Sequence, residues 1–475
     1  MFQCVEAGIM FIGRRSELKT MCREFDSDGF RMTVIYGRRR VGKSTLIKEF
    51  IRDRRAVYFQ AVKAGIAKNI KLFSEAVIEA LSPDTPEVMF PDMESILSYL
   101  GRKSEAERLI VVIDELPYLS ETDHGFLSLL QSYIDNRFLS GKMMLILCGS
   151  SVSFMEDEVL SEKSPVYGRR MSQISVMPFD YLESAEFVPS YTYEEKAICY
   201  GITGGVAKYL SLLDDSLTLD ENIKNLYFSK SGYLYEEPDN LLVQEFRNIR
   251  TYGDIISAIA EGRTKIAEIA DLTKLDQTAV SHALTSLIRV RIVEKLKALT
   301  DEGNKKKTIY RLRDGMFRFW YRFIPAGISY IEMDRGEVYY ERFVKPVLHE
   351  YMGDIFEDMC RYHTLRMSIN GELAINVSQV GKWWGTDPKD QKQTDIDVVG
   401  IDKLNRKSVL GESKFKNTPI DKAVLDDLLK RTGLVDKRYK TVQYLLFSLG
   451  GFTDRISNHT DREKVVLISL DDMYR

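Results

Sequence analysis

The run "TVIYGRRRVGKSTLIKEF" (33–50) sets Gly37-xxxx-Gly42-Lys43-Ser44 between a β-branched, aromatic stretch and a helical pattern. That strand, loop, helix order is what a phosphate-binding loop requires. Glycines let successive backbone N–H groups turn inward around phosphate oxygens, and the helix that follows adds the positive end of its dipole. Gly37, Val41, Gly42, Lys43, Ser44 and Thr45 are therefore expected to cradle a nucleotide. Lys43 would reach the β/γ-phosphates and assist transfer, Ser44 would ligate Mg²⁺, and Thr45 would approach the α-phosphate.

A second run, "RLIVVIDELPYL" (108–119), is almost continuously apolar up to Asp114-Glu115. Such a strand is buried on both faces, as in a parallel sheet. Asp114 at its carboxyl end can hold Mg²⁺ through water, and Glu115 can orient or deprotonate the attacking water. A third strand, "KMMLILCGSSVSFM" (142–155), ends in Ser150 and Ser151, either of which could sense a γ-phosphate or simply make the turn. Arg169 and Arg170 follow in "SPVYGRRMSQISVMPFDYLE" (164–183), as candidate arginine fingers or as surface ion-pair partners.

A different constellation stands near the carboxyl end. In "TDIDVVGIDKLNRKSVLGESKFKN" (394–417), acidic residues interrupt two runs that otherwise read as buried strands. Residues two apart in a strand share a face, so Glu412 and Lys414 project together and Ser413 points away. Asp395 and Asp397 share a face in the same manner. If the two runs pair, Asp397, Glu412 and Lys414 converge. Two carboxylates with no His or Cys make a hard oxygen site for Mg²⁺ or Mn²⁺, suited to phosphodiester hydrolysis, with the lysine positioning water or stabilising developing charge. Glu357, in the helical run "RFVKPVLHEYMGDIFEDMCRYH" (342–363), could complete the metal shell, with Glu350 the alternative. The bland competitor is a Glu412–Lys414 surface ion pair worth at most about 1 kcal/mol. Against it, Asp397 lies among Ile396, Val398 and Val399, where an unpaired carboxylate costs several kcal/mol unless a cation compensates it.

The elements that must position these groups follow from composition and periodicity. A chain of 475 residues, 44% hydrophobic and 29% charged, is too long for one core. Its net charge of −3 confines any nucleic-acid contact to local patches. The five cysteines show no CxxC or Cys/His ligand spacing, which argues against a zinc site and a disulfide framework and fits a reduced, cytoplasmic protein. Uncharged stretches such as 143–155 fall short of the roughly 20 apolar residues a membrane span needs, so no membrane partner is expected. The start lacks the basic segment of a signal peptide, and Met10 is an alternative first residue. From Gly253, three short amphipathic helices precede two strand-like runs, "RIVEKLKAL" and "KTIYRLRD", joined by "TDEGNKKK": a winged helix-turn-helix. Thr264 and Asp276 are plausible helix caps. In a DNA-binding version Thr278, Ser281 and His282 would approach a major groove, and Lys305, Lys306 and Lys307 would meet phosphate. The aromatic "GMFRFWYRFI" (315–324) suits packing between domains.

"FIGRRSEL" (11–18), "GRRRVGKST" (37–45), "VVIDELPYL" (111–119), "GSS", "YGRR" and "GGVAKYL" (204–210) together resemble the archaeal-type ATPases, a branch of AAA+/STAND-like P-loop ATPases. The resemblance implies an ATPase core, a helical lid around Glu194 to Asn240 with Gly204-Gly205 near the nucleotide, and an adenine pocket lined partly by Gly13 and Arg14. The order helix Glu357, strand Asp397, linker, Glu412-x-Lys414 resembles the PD-(D/E)xK nuclease fold. It also looks like the uncharacterised domain that commonly follows such ATPases, including the "WW" before "DIDVVG". The expected chain is thus α/β multidomain: a P-loop ATPase parallel sheet (1–190), a helical lid (191–245), a winged helix-turn-helix (246–325) and an α/β restriction-endonuclease-like domain (326–475). Its expected partners are ATP, DNA, and a protein partner or a second copy. The expected function is ATP hydrolysis coupled to a metal-dependent nuclease. The alternative is a nucleotide-switched regulator or scaffold that binds without cleaving.

Overall fold

In the computed structural model, residues 11–83, 89–246, 248–300, 307–389, 391–458, 461 and 463–475 are described. The chain divides into two compact units. The first runs to Phe179 and takes in Val206–Lys208; the second comprises Asp180–Gly205 and Tyr209–Arg475.

The first unit is built on five parallel strands: β1 (Arg31–Tyr36), β2 (Ala56–Gln60), β3 (Leu109–Asp114), β4 (Met143–Gly149) and β5 (Ser172–Ser175), in the order β2-β3-β4-β1-β5. Every residue of β3 and β4 is buried, as their unbroken apolar runs require. Alternation along the strands divides the core in two. Val34, Val111, Ile113, Leu145 and Leu147 pack with Phe73 and Leu130 on one face; Ile35, Ile110, Val112, Ile146 and Cys148 pack with Leu46 and Ile47 on the other. The strand β4 stands between β1 and β3, so the chemistry-bearing ends of β1 and β3 flank it. Gly37 leaves β1 so close to the neighbouring chain that a Cβ there would lie 2.4 Å from the Val176 carbonyl oxygen. Gly42, at φ 93°, opens the helix Lys43–Ile51 from a left-handed conformation that costs glycine little.

In the second unit, helices Tyr193–Thr203, Leu219–Tyr227 and Glu237–Glu245 occupy the expected lid region. Gly204 packs on the backbone of Gly315, 2.7 Å from where its Cβ would sit, and belongs to this unit. Val206–Lys208, directly after Gly205, joins the nucleotide-loop unit: the Lys208 N–H donates to the Arg40 carbonyl at 3.1 Å. Helices Ile249–Ala260, Ile266–Thr273 and Gln277–Arg289 then lead into the antiparallel pair β6 (Val293–Lys297) and β7 (Thr308–Leu312), which is a winged helix-turn-helix. Asp276 caps the third helix, accepting from the Thr278 and Ala279 N–H groups. The expected cap at Thr264 is displaced by one residue. The second helix starts at Ile266, and Glu268 reaches back to accept from the Thr264 and Lys265 N–H groups.

The aromatic run forms helix Gly315–Glu332, whose Phe319 packs against Tyr227, Phe228 and Tyr351. Helix Leu348–Ile369 follows, burying Leu348, Met352, Ile355, Phe356 and Met359 and leaving the Tyr362 ring 45% exposed. Next come an antiparallel meander of β8 (Gln379–Thr386), β9 (Gln393–Asp402) and β10 (Lys407–Lys414), helix Lys422–Lys430, and the parallel strands β11 (Lys440–Ser448) and β12 (Val465–Ser469). The sheet order is β12-β11-β10-β9-β8, with β8 at the edge.

Candidate functional site

Side chains at the strand ends of the first unit meet around Asp114. Ser44, in the first turn after the loop, donates from Oγ to Asp114 Oδ2 at 2.7 Å, and Tyr58 on β2 donates to the same oxygen at 2.6 Å. The Glu115 N–H donates to Asp114 Oδ1 at 2.9 Å. Glu115 sits in a left-handed conformation, φ 54°, an uncommon one for a residue with a Cβ, at the point where β3 turns into helix Leu116–Thr122. Its carboxylate accepts from the Ser150 hydroxyl at 2.7 Å and the Ser150 N–H at 3.2 Å. Ser151 has a different task, capping the next helical turn.

Lys43 is buried and donates to the carbonyls of Gly37 and Arg38 at 2.9 and 3.0 Å. Burial lowers the pKa of its ammonium, while the charges of Glu115 and Asp114 pull it back up. Val41 is buried beneath the loop and Thr45 is exposed at the helix start. Arg14 is 4% exposed: its guanidinium donates to the Val41 carbonyl at 2.9 Å and lies 3.9 Å over the Phe179 ring. It braces the loop from beneath, and Gly13 before it turns at φ 65°. Arg169 makes a two-pronged pair with Asp135, both bonds 2.7 Å, and Arg170 donates to the Leu160 carbonyl. The paired serine and aspartate oxygens fit a hard divalent cation, and Glu115 fits a residue that orients water.

In the second unit the β9–β10 ladder stops at Val398/Gly411, and the acidic residues lie beyond that point. Glu412 and Lys414 do share a face and pair at 2.8 Å, while Arg431, from the end of helix Lys422–Lys430, takes the other Glu412 oxygen at 2.8 Å. Asp397 accepts from the Ser413 N–H at 3.0 Å and the Ser413 hydroxyl at 3.2 Å. Glu357 accepts from Lys382 Nζ through both oxygens, at 3.0 and 2.9 Å, and from Arg361 at 3.3 Å. Burial first, then the Asp397 charge, pushes the Glu357 carboxyl up to about 7 against the pull of Lys382 and Arg361. Glu350 is exposed and faces Arg322.

The compensation that buried carboxylates demand is thus supplied by the protein's own donors: Ser413, Lys382, Arg361, Lys414 and Arg431. Glu357, Asp397 and Glu412 are hard oxygen donors, each already paired with donors of the protein itself. Among the described residues, however, no three carboxylate, His or Cys side chains already stand in a metal-holding arrangement.

Thr278, Ser281 and His282 are exposed on the third helix of the winged domain. Lys305 and Lys306 lie outside the described residues. Lys307, expected at phosphate, stands 5.8 Å from the Trp383 ring. The wing root explains this: Ala298 and Leu299 are buried in the same core as Trp383, Ile396 and Val399, and the Leu299 N–H donates to the Lys382 carbonyl at 2.9 Å.

Three family models match the chain. Residues 11–213 match the ATPase domain found predominantly in Archaea. Residues 11–213 are an archaeal-type ATPase domain. Residues 254–295 match the bacterial regulatory proteins of the arsR family, and 320–425 match archaeal and bacterial proteins of unknown function. An uncharacterized protein of Methanocaldococcus jannaschii is 29% identical over 430 residues, covering 90% of this chain and 92% of that protein. An uncharacterized ATP-binding protein of the same organism is 38% identical over 47 residues, 10% of this chain and 80% of that protein. The Walker-type ATPase of Pyrococcus abyssi shares the fold at a TM-score of 0.50 and 20% identity, covering 66% of this chain and 96% of that one. No helix among the described residues is long and apolar enough to cross a membrane.

Two groups around these sites carry no motif signal. Within the ATPase domain, Tyr58 is one; burial and then the Asp114 charge hold its phenol well above the ordinary tyrosine range, as a committed donor. The other is Asp358, next to Glu357. Burial opposes its charge, but Arg311 and Arg361 hold its carboxyl well below the usual range.

Proposed function

We propose that this protein binds and hydrolyses ATP in its amino-terminal unit and uses that cycle to govern a DNA-contacting carboxy-terminal unit. The observation that carries the first part is the 2.7 Å bond between Ser44 Oγ and Asp114 Oδ2, with Glu115 beside it held by Ser150. When Mg²⁺ is bound, Ser44 and Asp114 would hold it, and it would neutralise charge on the transferring phosphoryl group. Lys43 leaves the Gly37 and Arg38 carbonyls to meet phosphate oxygens, a strong charge-assisted exchange. Glu115 leaves Ser150 to take a proton from the attacking water. The test is ATP turnover by the wild type, Lys43→Ala and Glu115→Gln. Lys43→Ala loses nucleotide binding. Glu115→Gln retains it and loses about 10²–10⁴-fold in turnover, the usual worth of a general base. Nucleotide binding without turnover in the wild type would leave a nucleotide-switched regulator.

For the carboxy-terminal unit we infer metal-dependent phosphodiester cleavage. This reading is supported by the order of elements, helix, three-strand meander, helix and parallel strand, with Asp397, Glu412 and Lys414 lying where the β9–β10 ladder opens and Glu357 joined to Asp397 through Lys382. Lys414 Nζ, paired with Glu412, is placed to stabilise charge on a scissile phosphate. Plasmid, linear and single-stranded DNA and RNA, incubated with Mg²⁺ or Mn²⁺ with and without ATP, test it. Cleavage lost in Asp397→Ala and Glu412→Ala supports the reading; cleavage unchanged in both would assign it to a contaminant. The exposed Thr278, Ser281 and His282 face, together with the arsR-type match, supports DNA as the partner of the winged helix.

A further inference from the structure

Lys382 has no place in either motif, yet more carboxylates surround it than any other lysine of the carboxy-terminal unit among the ion pairs described. Its Nζ is 2.9 and 3.0 Å from the two oxygens of Glu357, 2.9 Å from Asp395 Oδ2 and 3.8 Å from Asp397 Oδ1. Glu357 comes from helix Leu348–Ile369, both aspartates from β9, and Lys382 from the edge strand β8 beside them. The β8–β9 register slips here: Gly381 pairs with Val399 and Trp383 with Ile396, leaving Lys382 opposite an extra residue at Asp397/Val398. A bulge of this kind re-aims a side chain, and such bulges recur beside active sites. The Lys382 backbone is tied to the wing root through its carbonyl. A lysine stem of four carbons is intrinsically flexible, and the side chain keeps 23% of its surface.

Three carboxylates face this ammonium, and the Arg361 guanidinium at 3.3 Å from Glu357 is the second cation against them. The acceptors around that ammonium are hard carboxylate oxygens alone. A monovalent, strongly hydrated point charge holds the group together, at the spot where Glu357 and Asp397 come nearest to sharing one partner.

We propose that Lys382 is the resident counter-ion of this carboxylate site, and that a divalent metal reaches Glu357 and Asp397 only by displacing its ammonium. The proposal rests on the metal-dependent reading of the site. It makes Lys382 a positioning residue that keeps the carboxylates ordered without metal and sets how much metal is needed. Once displaced, the ammonium has the reach to meet an incoming phosphate.

The test is Mn²⁺ titration of the full chain without nucleotide, with free Mn²⁺ followed by electron paramagnetic resonance. An Asp114→Asn background removes the Ser44/Asp114 site. Lys382→Met, which keeps the stem and loses the charge, is expected to bind Mn²⁺ at least about tenfold tighter, the scale of one charge acting on a carboxylate at 4–6 Å. Lys382→Arg is expected to keep the parent's weaker affinity, and adding Asp397→Asn to Lys382→Met to abolish the gain. Equal or weaker binding by a Lys382→Met protein with the parent's thermal unfolding curve would overturn the proposal and leave the metal site standing. Mn²⁺ bound by none of the variants would overturn both. Tighter binding by Lys382→Met, with no DNA cleavage by the wild type with Mg²⁺ or Mn²⁺ either with or without ATP, would uphold the counter-ion and sink phosphodiester hydrolysis alone.

Discussion

Arg311 on the second wing strand donates from Nη2 to Asp358 Oδ1 at 2.5 Å, one residue along the chain from Glu357. The same Arg311 pairs with Glu294 across the hairpin at 2.6 Å, and Asp358 also receives Arg361, whose other nitrogen donates to the Asp397 carbonyl. One continuous line of charge-assisted bonds therefore runs from the winged helix to the carboxylate site. Asp358→Asn is expected to destabilise this unit by about 2–3 kcal/mol. That is less than a fully buried pair loses, because 33% of the Asp358 side chain remains exposed. Denaturant unfolding of Arg311→Met, Asp358→Asn and the double variant checks it: the double should cost less than the sum by about 1–3 kcal/mol. Strict additivity would show that the two residues do not act as a pair.

Tyr58 and Ser44 share one oxygen of Asp114, and this fixes the direction in which that carboxylate points. A hydrogen bond to a charged group is worth about 1.5–3 kcal/mol, and about 1.4 kcal/mol is tenfold in an equilibrium constant. Tyr58→Phe should therefore raise the Mg²⁺ concentration for half-saturation by ATP by about tenfold, while binding of ATP without Mg²⁺ is unchanged. A fluorescent ATP analogue titrated at rising Mg²⁺ measures both. An unaltered Mg²⁺ requirement would reduce Tyr58 to packing.

The contrast between Tyr58 and Lys43 explains what the sequence could tell. Gly37, Gly42, Lys43 and Ser44 are close in the chain because the backbone must turn, approach phosphate and open a helix within eight residues, so spacing alone carries their chemistry. Tyr58 reaches Asp114 because β2 lies beside β3, with Gln60 level with Asp114. That pairing comes from sheet order, which no local pattern encodes. Alternation correctly joined Glu412 to Lys414. It did not give the Ser413 donors of Asp397, which lie beyond the last β9–β10 pair, or Lys382, where the bulge shifts the register. Arg361 and Arg431 arrive from a helix and a helix end whose local sequence carries no sign of these partners.

His363 predicts how the second unit responds to acid. Its ring is buried, with Nδ1 3.0 Å from the Tyr181 hydroxyl. Burial, then the Arg366 charge, pushes it down from 6.5 to about 4. Between those values the unfolded chain takes up a proton that the folded chain refuses. Stability is therefore full above pH 6.5 and falls as pH drops toward 4, by up to about 3 kcal/mol from this group. Urea midpoints across that range should slope downward with acid in the wild type and less steeply in His363→Gln. Equal slopes would show that His363 does not carry the effect.

The wing makes the sharpest distinction between two modes of DNA binding. In a wing that reaches the backbone, each lysine that neutralises a phosphate adds about 0.9 to the slope of log affinity against log salt. Lys307 stands by the Trp383 ring, and the wing root is buried in the carboxy-terminal core. Lys307→Ala should then leave the salt slope unchanged while Ser281→Glu, on the exposed face of the third helix, weakens binding by like-charge repulsion with phosphate. Fluorescence anisotropy on a labelled duplex at several salt concentrations gives both numbers. A slope reduced by about 0.9 in Lys307→Ala would mean that the wing leaves Trp383 to meet DNA. Because the Leu299 N–H is bonded to the Lys382 carbonyl, that movement would pull directly on the strand that carries the counter-ion.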